Sequence, residues 1–299
     1  MAKAGRFLFL LLLILGLAGP AAARENYRMY KLSDQFTLWV LAASLRDMDL
    51  GDVFPGRSEV FTKHVPSGSA PASILAFLLR GPEEAVLIDA GLGDGAVEKI
   101  LGEIGVAPEE ISTVLLTHLH GDHVGGLMVD DRKIFPRAQI RLAREEHDFW
   151  LDEANPAKYP DRRANFDLAR QILSAYGEAV KPFEFGEKIA PGLTATAALG
   201  HTPGHTVYML EAEKMLFWGD LIHAAALQFP RPDVSPRYDF DPEAAAATRL
   251  KFLELCAREG LIVAGPHLPF PGLGRVTAAT TEGEAFTFMP WDGSRSACD

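Results

Sequence analysis

Cysteine is nearly absent from this 299-residue chain: Cys256 and Cys298 are the only two. Neither has the spacing of a metal-binding pair, which excludes cysteine-based metal sites. Cys256 falls on the apolar face of a helix-forming stretch and is expected as a buried thiol. A bridge to Cys298 is the alternative an oxidising compartment would allow. Basic excess is missing too. With 29 Lys and Arg against 40 Asp and Glu the net charge is −11, so the chain has no general attraction to nucleic acid, whose binding rests on phosphate neutralisation. Past residue 23 no apolar run approaches the roughly 20 residues of a membrane span. The glycine-rich Asp89-Ala90-Gly91-Leu92-Gly93-Asp94-Gly95 lacks both the Lys-Ser/Thr of a P-loop and the order of a dinucleotide fingerprint. No short-period repeat is visible.

The start of the chain is different in kind. Lys3 and Arg6 form a basic start ahead of an apolar run from Phe7 to Leu17, and Ala21-Ala22-Ala23 closes it, which is the layout of a secretory signal peptide cleaved after Ala23. The expected organisation is a signal peptide over 1–23 and a single domain over 24–299. That domain is expected in the periplasm or outside the cell, with no stable membrane anchor; an uncleaved anchor is the alternative. No cysteine near the cleavage point suggests a lipoprotein, and no Arg-Arg pair suggests twin-arginine export.

Apolar and β-branched runs predict strands over 36–42, 73–79 and 85–88, while turn-forming residues mark 47–72 as loop. His64, within that loop, reads as a surface or substrate-side histidine. Residues 112–116 form another buried strand, which runs into Thr117-His118-Leu119-His120-Gly121-Asp122-His123. Four potential metal ligands fall here within six residues. His118 and His120, two apart, point the same way in extended chain. Gly121 permits a change of direction, after which Asp122 and His123 face a second point. A packed core has no use for so many ionisable groups together. Asp89, at the end of the preceding strand, is assigned to shaping its turn.

Residues 144–151 and 166–180 read as helices around a charged, proline-bearing stretch, together a helical insertion near 144–180. Its Phe149, Trp150 and Phe166 are candidates for an apolar substrate wall, with plain core packing as the alternative. Its apolar helix is a candidate surface for a homodimer. The second half repeats the style of the first. Strand 193–199 runs into Gly200-His201-Thr202-Pro203-Gly204-His205, strands 206–211 and 215–218 lead to Gly219-Asp220, and helix 242–258 precedes strand 261–264, which delivers Gly265-Pro266-His267. Strands first and helices after, twice over, predict an α/β sandwich of two βα halves with ligands on strand-end loops. From the residues alone, His201 and His205 cannot be separated as ligands.

Taken together, the HxHxDH motif at 118–123, the GHTPGH motif at 200–205, Gly219-Asp220 and His267 resemble the metallo-β-lactamase superfamily over nearly all of the chain after residue 23. Phe217-Trp218-Gly219-Asp220-Leu221-Ile222-His223 and His267-Leu268-Pro269-Phe270-Pro271-Gly272 look most like its branch of methyl parathion hydrolase and related lactonases. The resemblance implies the four-layer αββα sandwich. It implies one metal held by His118, His120 and His201, a second held by Asp122, His123 and His267, and Asp220 bridging the two. His205 would be a supporting residue. Two divalent ions are implied, Zn²⁺ first, with Mn²⁺, Co²⁺ and Fe²⁺ suited to the same donors. Such ions share a hydroxide that attacks a carbonyl carbon or phosphorus. The implied activity is cleavage of an ester, lactone or phosphotriester, a small-molecule substrate. Asp122 would orient the hydroxide and carry its proton, and His223 is a second catalytic candidate as proton donor or supporting partner. The rival readings are a class B-like β-lactamase, a mononuclear iron persulfide dioxygenase and a binding protein.

Overall fold

The computed structural model describes residues 25–294 apart from 83 and 191, so the expected signal peptide over 1–23 and Cys298 lie outside the described residues. The first half builds β1 (Tyr27–Lys31), β2 (Thr37–Asp49), β3 (Ser69–Arg80), β4 (Ala85–Ile88) and β5 (Thr113–Leu115). A hairpin of β6 (Met128–Val129) and β7 (Arg132–Lys133) follows, then β8 (Gln139–Arg141). The second half builds β9 (Lys188–Ala190), β10 (Leu193–Ala197), β11 (Thr206–Leu210), β12 (Met215–Phe217), β13 (Ile262–Ala264), β14 (Leu273–Ala278) and β15 (Phe286–Pro290). They form a six-stranded sheet in the order β1-β2-β3-β4-β5-β8 and a seven-stranded sheet in the order β15-β14-β13-β12-β11-β10-β9.

Alternation along the strands decides the layers, because successive side chains leave opposite faces of a sheet. On β3, Leu75, Phe77 and Leu79 enter an apolar core shared with Tyr208, Met215, Phe217 and Ile262 of the other sheet. Ala76 and Leu78, between them, face the first half's helices through Val97, Ile100, Leu101 and Phe166. On the second sheet the outward Val207, Leu216, Val263 and Val276 pack on Phe252, Leu253 and Cys256 of helix Pro242–Glu259. Helices, sheet, sheet, helix: this is the four-layer α/β sandwich. Among the described residues no helix is long and apolar enough to cross a membrane.

Differences from the sequence reading have local causes. Strands β2 and β3 pair from Thr37↔Arg80 to Asp49↔Ser69, past a register shift at Ala42/Ser44, so the two ends of the expected loop 47–72 are strand. Between them, Asp49 accepts from the backbone N–H groups of Gly51 and Asp52 and caps a helical turn, Leu50–Val53. Helix Ser58–His64 follows, with the His64 side chain nearly buried and Nδ1 3.8 Å from Glu284. The insertion comprises helices Arg144–Leu151, Asn155–Lys158 and Arg163–Tyr176. Cys256 is a buried free thiol, which burial pushes up to about 12.

Candidate metal centre

Strand β5 lies between β4 and β8, parallel to both, and the chain leaves its end directly into the motif. The Asp89 carboxylate, one residue past β4, receives the Thr117 backbone N–H at 2.8 Å and its hydroxyl at 2.9 Å. It also receives the His123 Nδ1–H at 2.8 Å. Asp89 thus organises the loop from behind. One helical turn, Gly121–Val124, follows; it keeps the His123 ring against that of His118, with centroids 4.1 Å apart, while bringing His123 Nε2 and Asp122 Oδ2 toward a second focus, 3.9 Å from each other.

The second sheet supplies three more loops. His201 follows β10, Asp220 follows β12 and His267 follows β13. Gly219 has φ +54°, and a Cβ there would meet His205 Nε2 at 2.4 Å, so only glycine lets the chain turn against that ring. His205 has both nitrogens occupied: Nδ1–H donates to Ala198 O at 3.0 Å, and Nε2 accepts the Asp220 backbone N–H at 2.9 Å. It positions Asp220 and has no lone pair left for the centre. This separates it from His201, whose Nε2 is free of such ties.

The inward-facing atoms fall into two sets. His118 Nε2 and His201 Nε2 stand 3.0 and 2.9 Å from His120 Nδ1. Asp220 Oδ2 is 3.6 Å from the first and 3.2 Å from the second. On the other side, Asp220 Oδ1 is 3.0 Å from His123 Nε2 and 3.2 Å from His267 Nε2. Asp122 Oδ2 completes that set at 3.5 Å from His267 Nε2 and 3.9 Å from His123 Nε2. One carboxylate, Asp220, therefore faces both sets with a different oxygen.

The donor set fits cations at the two foci. Four ligands about 2.0–2.1 Å from a tetrahedral zinc stand about 3.3 Å from one another, close to the spacings here. The tautomers agree as well. Nδ1–H of His118 donates to Thr117 Oγ1 at 3.1 Å, that of His201 to Asp239 Oδ1 at 2.8 Å and that of His267 to Ser73 O at 2.9 Å. With His123 held by Asp89, four imidazoles place their Nδ1–H on a fixed acceptor and leave Nε2 as the inward site, which a proton or a cation can take, as in ligating histidines. His123 Nε2 and Asp220 Oδ1 are buried, 3.0 Å apart, and have no hydrogen-bond partner among the described residues. Two buried lone-pair atoms that converge in this way suit a positive charge between them, a proton or a metal cation.

Protons compete for the same lone pairs. Burial pulls His118 and His120 well below the ordinary imidazole range, and their neighbouring imidazoles add to it. Burial acts the same way on His123, but Asp220, Asp89 and Asp122 outweigh it and hold it well above that range. His201 is raised to about 9, Asp220 and Asp239 overcoming its burial. Burial alone would raise the Asp220 carboxyl, yet His123, His267, His118 and His223 hold it well below the carboxylate range.

A cavity of about 1350 Å³ opens over the centre, and His120, Asp122, Asp220, His223 and His267 line it. The His223 ring stacks on His267 at 5.3 Å, with Nε2 3.1 Å from Asp220 Oδ2. The wall expected from Phe149, Trp150 and Phe166 is elsewhere. Trp150 and Phe166 are fully buried in the first half's core, and Phe149 packs against that core. The apolar wall is instead Met48, Ile74, Leu92, Met128, Leu168 and Ile172. The insertion reaches the cavity, but through the other face of helix Arg163–Tyr176.

Three buried charged residues escaped sequence reasoning. Asp239 holds His201 and meets Arg249 Nη2 at 3.3 Å. Arg249, in helix Pro242–Glu259, also donates to Leu221 O at 2.6 Å, Pro232 O at 2.7 Å and Val234 O at 3.2 Å. Glu146 accepts from Leu119 N, Trp150 Nε1, Thr202 Oγ1 and Gly204 N, and burial raises its carboxyl against those four bonds. The available signal was a charged residue on an otherwise apolar helix face: Glu146 lies four before Trp150, and Arg249 lies between Ala245 and Phe252–Leu253.

Residues 70–267 match the family profile of the Metallo-beta-lactamase superfamily. The chain is 25% identical to an N-acyl homoserine lactonase of Bacillus cereus over 236 residues, 71% of this chain and 87% of that protein. Among solved structures, hydrolase AbOPH of the beta-lactamase superfamily superposes with a TM-score of 0.81 at 31% identity, covering 90% of this chain and 99% of that one. AidC, a dizinc quorum-quenching lactonase solved with its product N-hexanoyl-L-homoserine, does so with a TM-score of 0.80 at 25% identity, again over 90% and 99%.

Proposed function

The chain belongs to the metallo-beta-lactamase superfamily and is a metal-dependent hydrolase, and from that premise we propose that it opens a lactone, or cleaves a related ester, bearing an apolar acyl group. The observation that carries this reading is the Asp220 carboxylate set between two donor sets on the floor of a cavity with one apolar wall. His118, His120 and His201 would hold one divalent cation and Asp122, His123 and His267 the other, with Asp220 touching both. The bound ions, zinc first among them, supply an acidified water and an electrophilic contact for an acyl oxygen.

The rest of the reaction falls to the chain's own groups. Water adds across the acyl C–O bond, giving an acid and an alcohol, so one proton must leave the water and one must reach the departing oxygen. The Asp122 side chain is the more open of the two central carboxylates, 29% exposed against 3% for Asp220. It lines the cavity and is the proton acceptor. His223 lines the same floor, its Nε2 3.1 Å from Asp220 Oδ2 and its Nδ1 without a hydrogen-bond partner among the described residues. Its backbone N–H is fixed by Gln228 Oε1 at 2.7 Å. It is the donor toward the departing or carbonyl oxygen. The acyl group lies along Leu168, Met128 and Ile74.

Charge favours neutral substrates over β-lactams, which carry a carboxylate. Asp47, Asp49, Asp52, Asp130, Asp131 and Asp161 line the cavity against Arg46, Arg162 and Arg237. Arg162 donates to the carbonyls of Tyr238, Arg237 and Asp239, so it is occupied within the fold. The pattern of residues 1–23 supports export to the periplasm or beyond.

The test pairs elemental analysis of the purified protein with panels of lactones, aryl esters, phosphotriesters and β-lactams. Two equivalents of zinc, manganese or cobalt are expected, with lactones turned over fastest and activity lost in Asp220→Ala. Full activity in that variant, or a single equivalent of iron, overturns the dinuclear assignment. Faster turnover of β-lactams overturns the substrate assignment.

A further inference from the structure

We infer that Glu146 is a positioning residue that sets the distance between the two loops of the His118/His120/His201 cation site, and leaves the Asp122/His123/His267 site independent of it. The inference rests on the metal-hydrolase reading above. Glu146 sits in helix Arg144–Leu151, is fully buried and is absent from the cavity lining, so it touches neither substrate nor cation. What it touches is the backbone on both sides of the centre. Oε1 takes the Leu119 N–H at 2.9 Å, between His118 and His120, and the Trp150 Nε1–H at 2.7 Å. Oε2 takes the Thr202 hydroxyl at 2.7 Å and the Gly204 N–H at 2.9 Å, directly after His201. One rigid, planar group therefore joins a loop of the first sheet to a loop of the second.

The approach is as close as the backbone allows. A Cβ on Gly204 would lie 2.2 Å from Glu146 N and 2.6 Å from its Cα, so the 202–204 loop rides directly on the first turn of the helix. The Trp150 indole held by Oε1 in turn sets its edge on the His120 ring, with centroids 5.8 Å apart at 83°. The second set has its own supports, Asp89 for His123 and Ser73 O for His267, and none of them passes through Glu146.

The chemistry of the four donors makes the carboxylate specific. Leu119 N–H, Gly204 N–H and the indole N–H can only donate; Thr202 alone can also accept. In Glu146→Gln the amide NH₂ cannot face Leu119 and Trp150 without opposing two donors, so it turns toward Thr202 and Gly204. The threonine hydroxyl can reverse, but the Gly204 N–H is left without an acceptor in a buried place. The displaced loop is then the one that carries His201.

The experiment uses metal-free protein titrated with Co²⁺ and with Zn²⁺, read by cobalt visible absorption and by competition with a chromophoric chelator. The wild type is expected to take up two ions with two resolvable spectra. Glu146→Gln is expected to keep the Asp122/His123/His267 ion and weaken the other by about 10- to 100-fold, the usual effect of losing an outer partner of a ligand. Its cobalt spectrum should change accordingly. Thr202→Val, which keeps the volume and deletes one of the two bonds on the His201 side, is expected to change in the same direction by less. It decides the matter if the glutamine variant does not fold. Val276→Ala, a truncation behind the second sheet, controls for general destabilisation and is expected to keep both ions and both spectra. Wild-type affinities and spectra in both Glu146→Gln and Thr202→Val overturn the inference, as does equal weakening of both ions. A wild type that binds no metal overturns instead the reading on which it rests.

Discussion

Replacing Asp239 with asparagine removes one oxygen's charge and changes little in shape. In the native fold one Asp239 oxygen accepts the His201 Nδ1–H at 2.8 Å, and the other faces Arg249 Nη2 at 3.3 Å, all three residues being buried. The amide has two orientations. With its oxygen toward His201, its NH₂ opposes the guanidinium; with its NH₂ toward His201, the ring must accept at Nδ1 and carry its proton on the inward-facing Nε2. The first is the better, because Arg249 keeps three backbone carbonyl acceptors, but it leaves a fully buried cation without its countercharge. Breaking a buried pair by deleting one partner costs about 3–5 kcal/mol. The retained carbonyl bonds place this case at the lower end, about 3 kcal/mol. Urea unfolding of the metal-free protein should show that loss as a lower midpoint at unchanged slope. Chelator competition should show weaker binding at the His201 set by about tenfold or more. A loss below about 1 kcal/mol together with unchanged metal affinity would refute the argument that this pair supports His201.

Leu168→Ala strips side chain from the apolar wall beside Gly121, and is expected to raise KM for long-chain lactones while leaving short-chain lactones nearly unaffected; a uniform change in kcat for both would place the acyl group elsewhere. Cys256, its thiol buried and pushed up to about 12, should resist alkylation in the native protein at pH 8 and react only after unfolding, read by peptide mass spectrometry; native labelling would contradict its burial. The Glu98 carboxyl is held below its ordinary value, chiefly by its hydrogen bonds to Arg132. A depressed carboxyl contributes stability above its unfolded pKa and loses it as pH falls through the folded value. Glu98→Gln should therefore lower stability at neutral pH and flatten the acid limb of the stability profile. An unchanged acid limb counts against the contribution of the bridge.

Ligand-type residues were the most legible part of the chain because their chemistry is conspicuous where they stand. The HxHxDH cluster has too many donors for a core, and Asp220 and His267 each follow an apolar strand. The choice between His201 and His205 was not legible. Both flank the same turn, and only the fold shows His205 with both nitrogens tied to backbone. The aromatic wall failed for a related reason. Phe149, Trp150 and Phe166 sit on helices whose two faces both meet protein or cavity, so periodicity identifies an inward face without saying which interior it faces. Strand β14 was missed because Gly274 and Arg275 interrupt the apolar run of Leu273–Ala278. A Cβ at Gly274 would lie 2.1 Å from the Phe288 ring, so the glycine that hides the strand is also what lets its neighbour's ring lie across it.

The two halves of the sandwich contribute unequally to the centre. His118, His120, Asp122 and His123 hang from the first sheet, and His201, Asp220 and His267 from the second. Neither half alone can surround an ion, and the last donor arrives only after β13. A cation held this way acts as a rivet through the seam between the sheets. Its binding free energy resists their separation and raises the apparent stability with free-metal concentration. Resistance to chelators gained during refolding is then expected to mark the docking of the two halves, since donors from both sheets are needed to surround an ion.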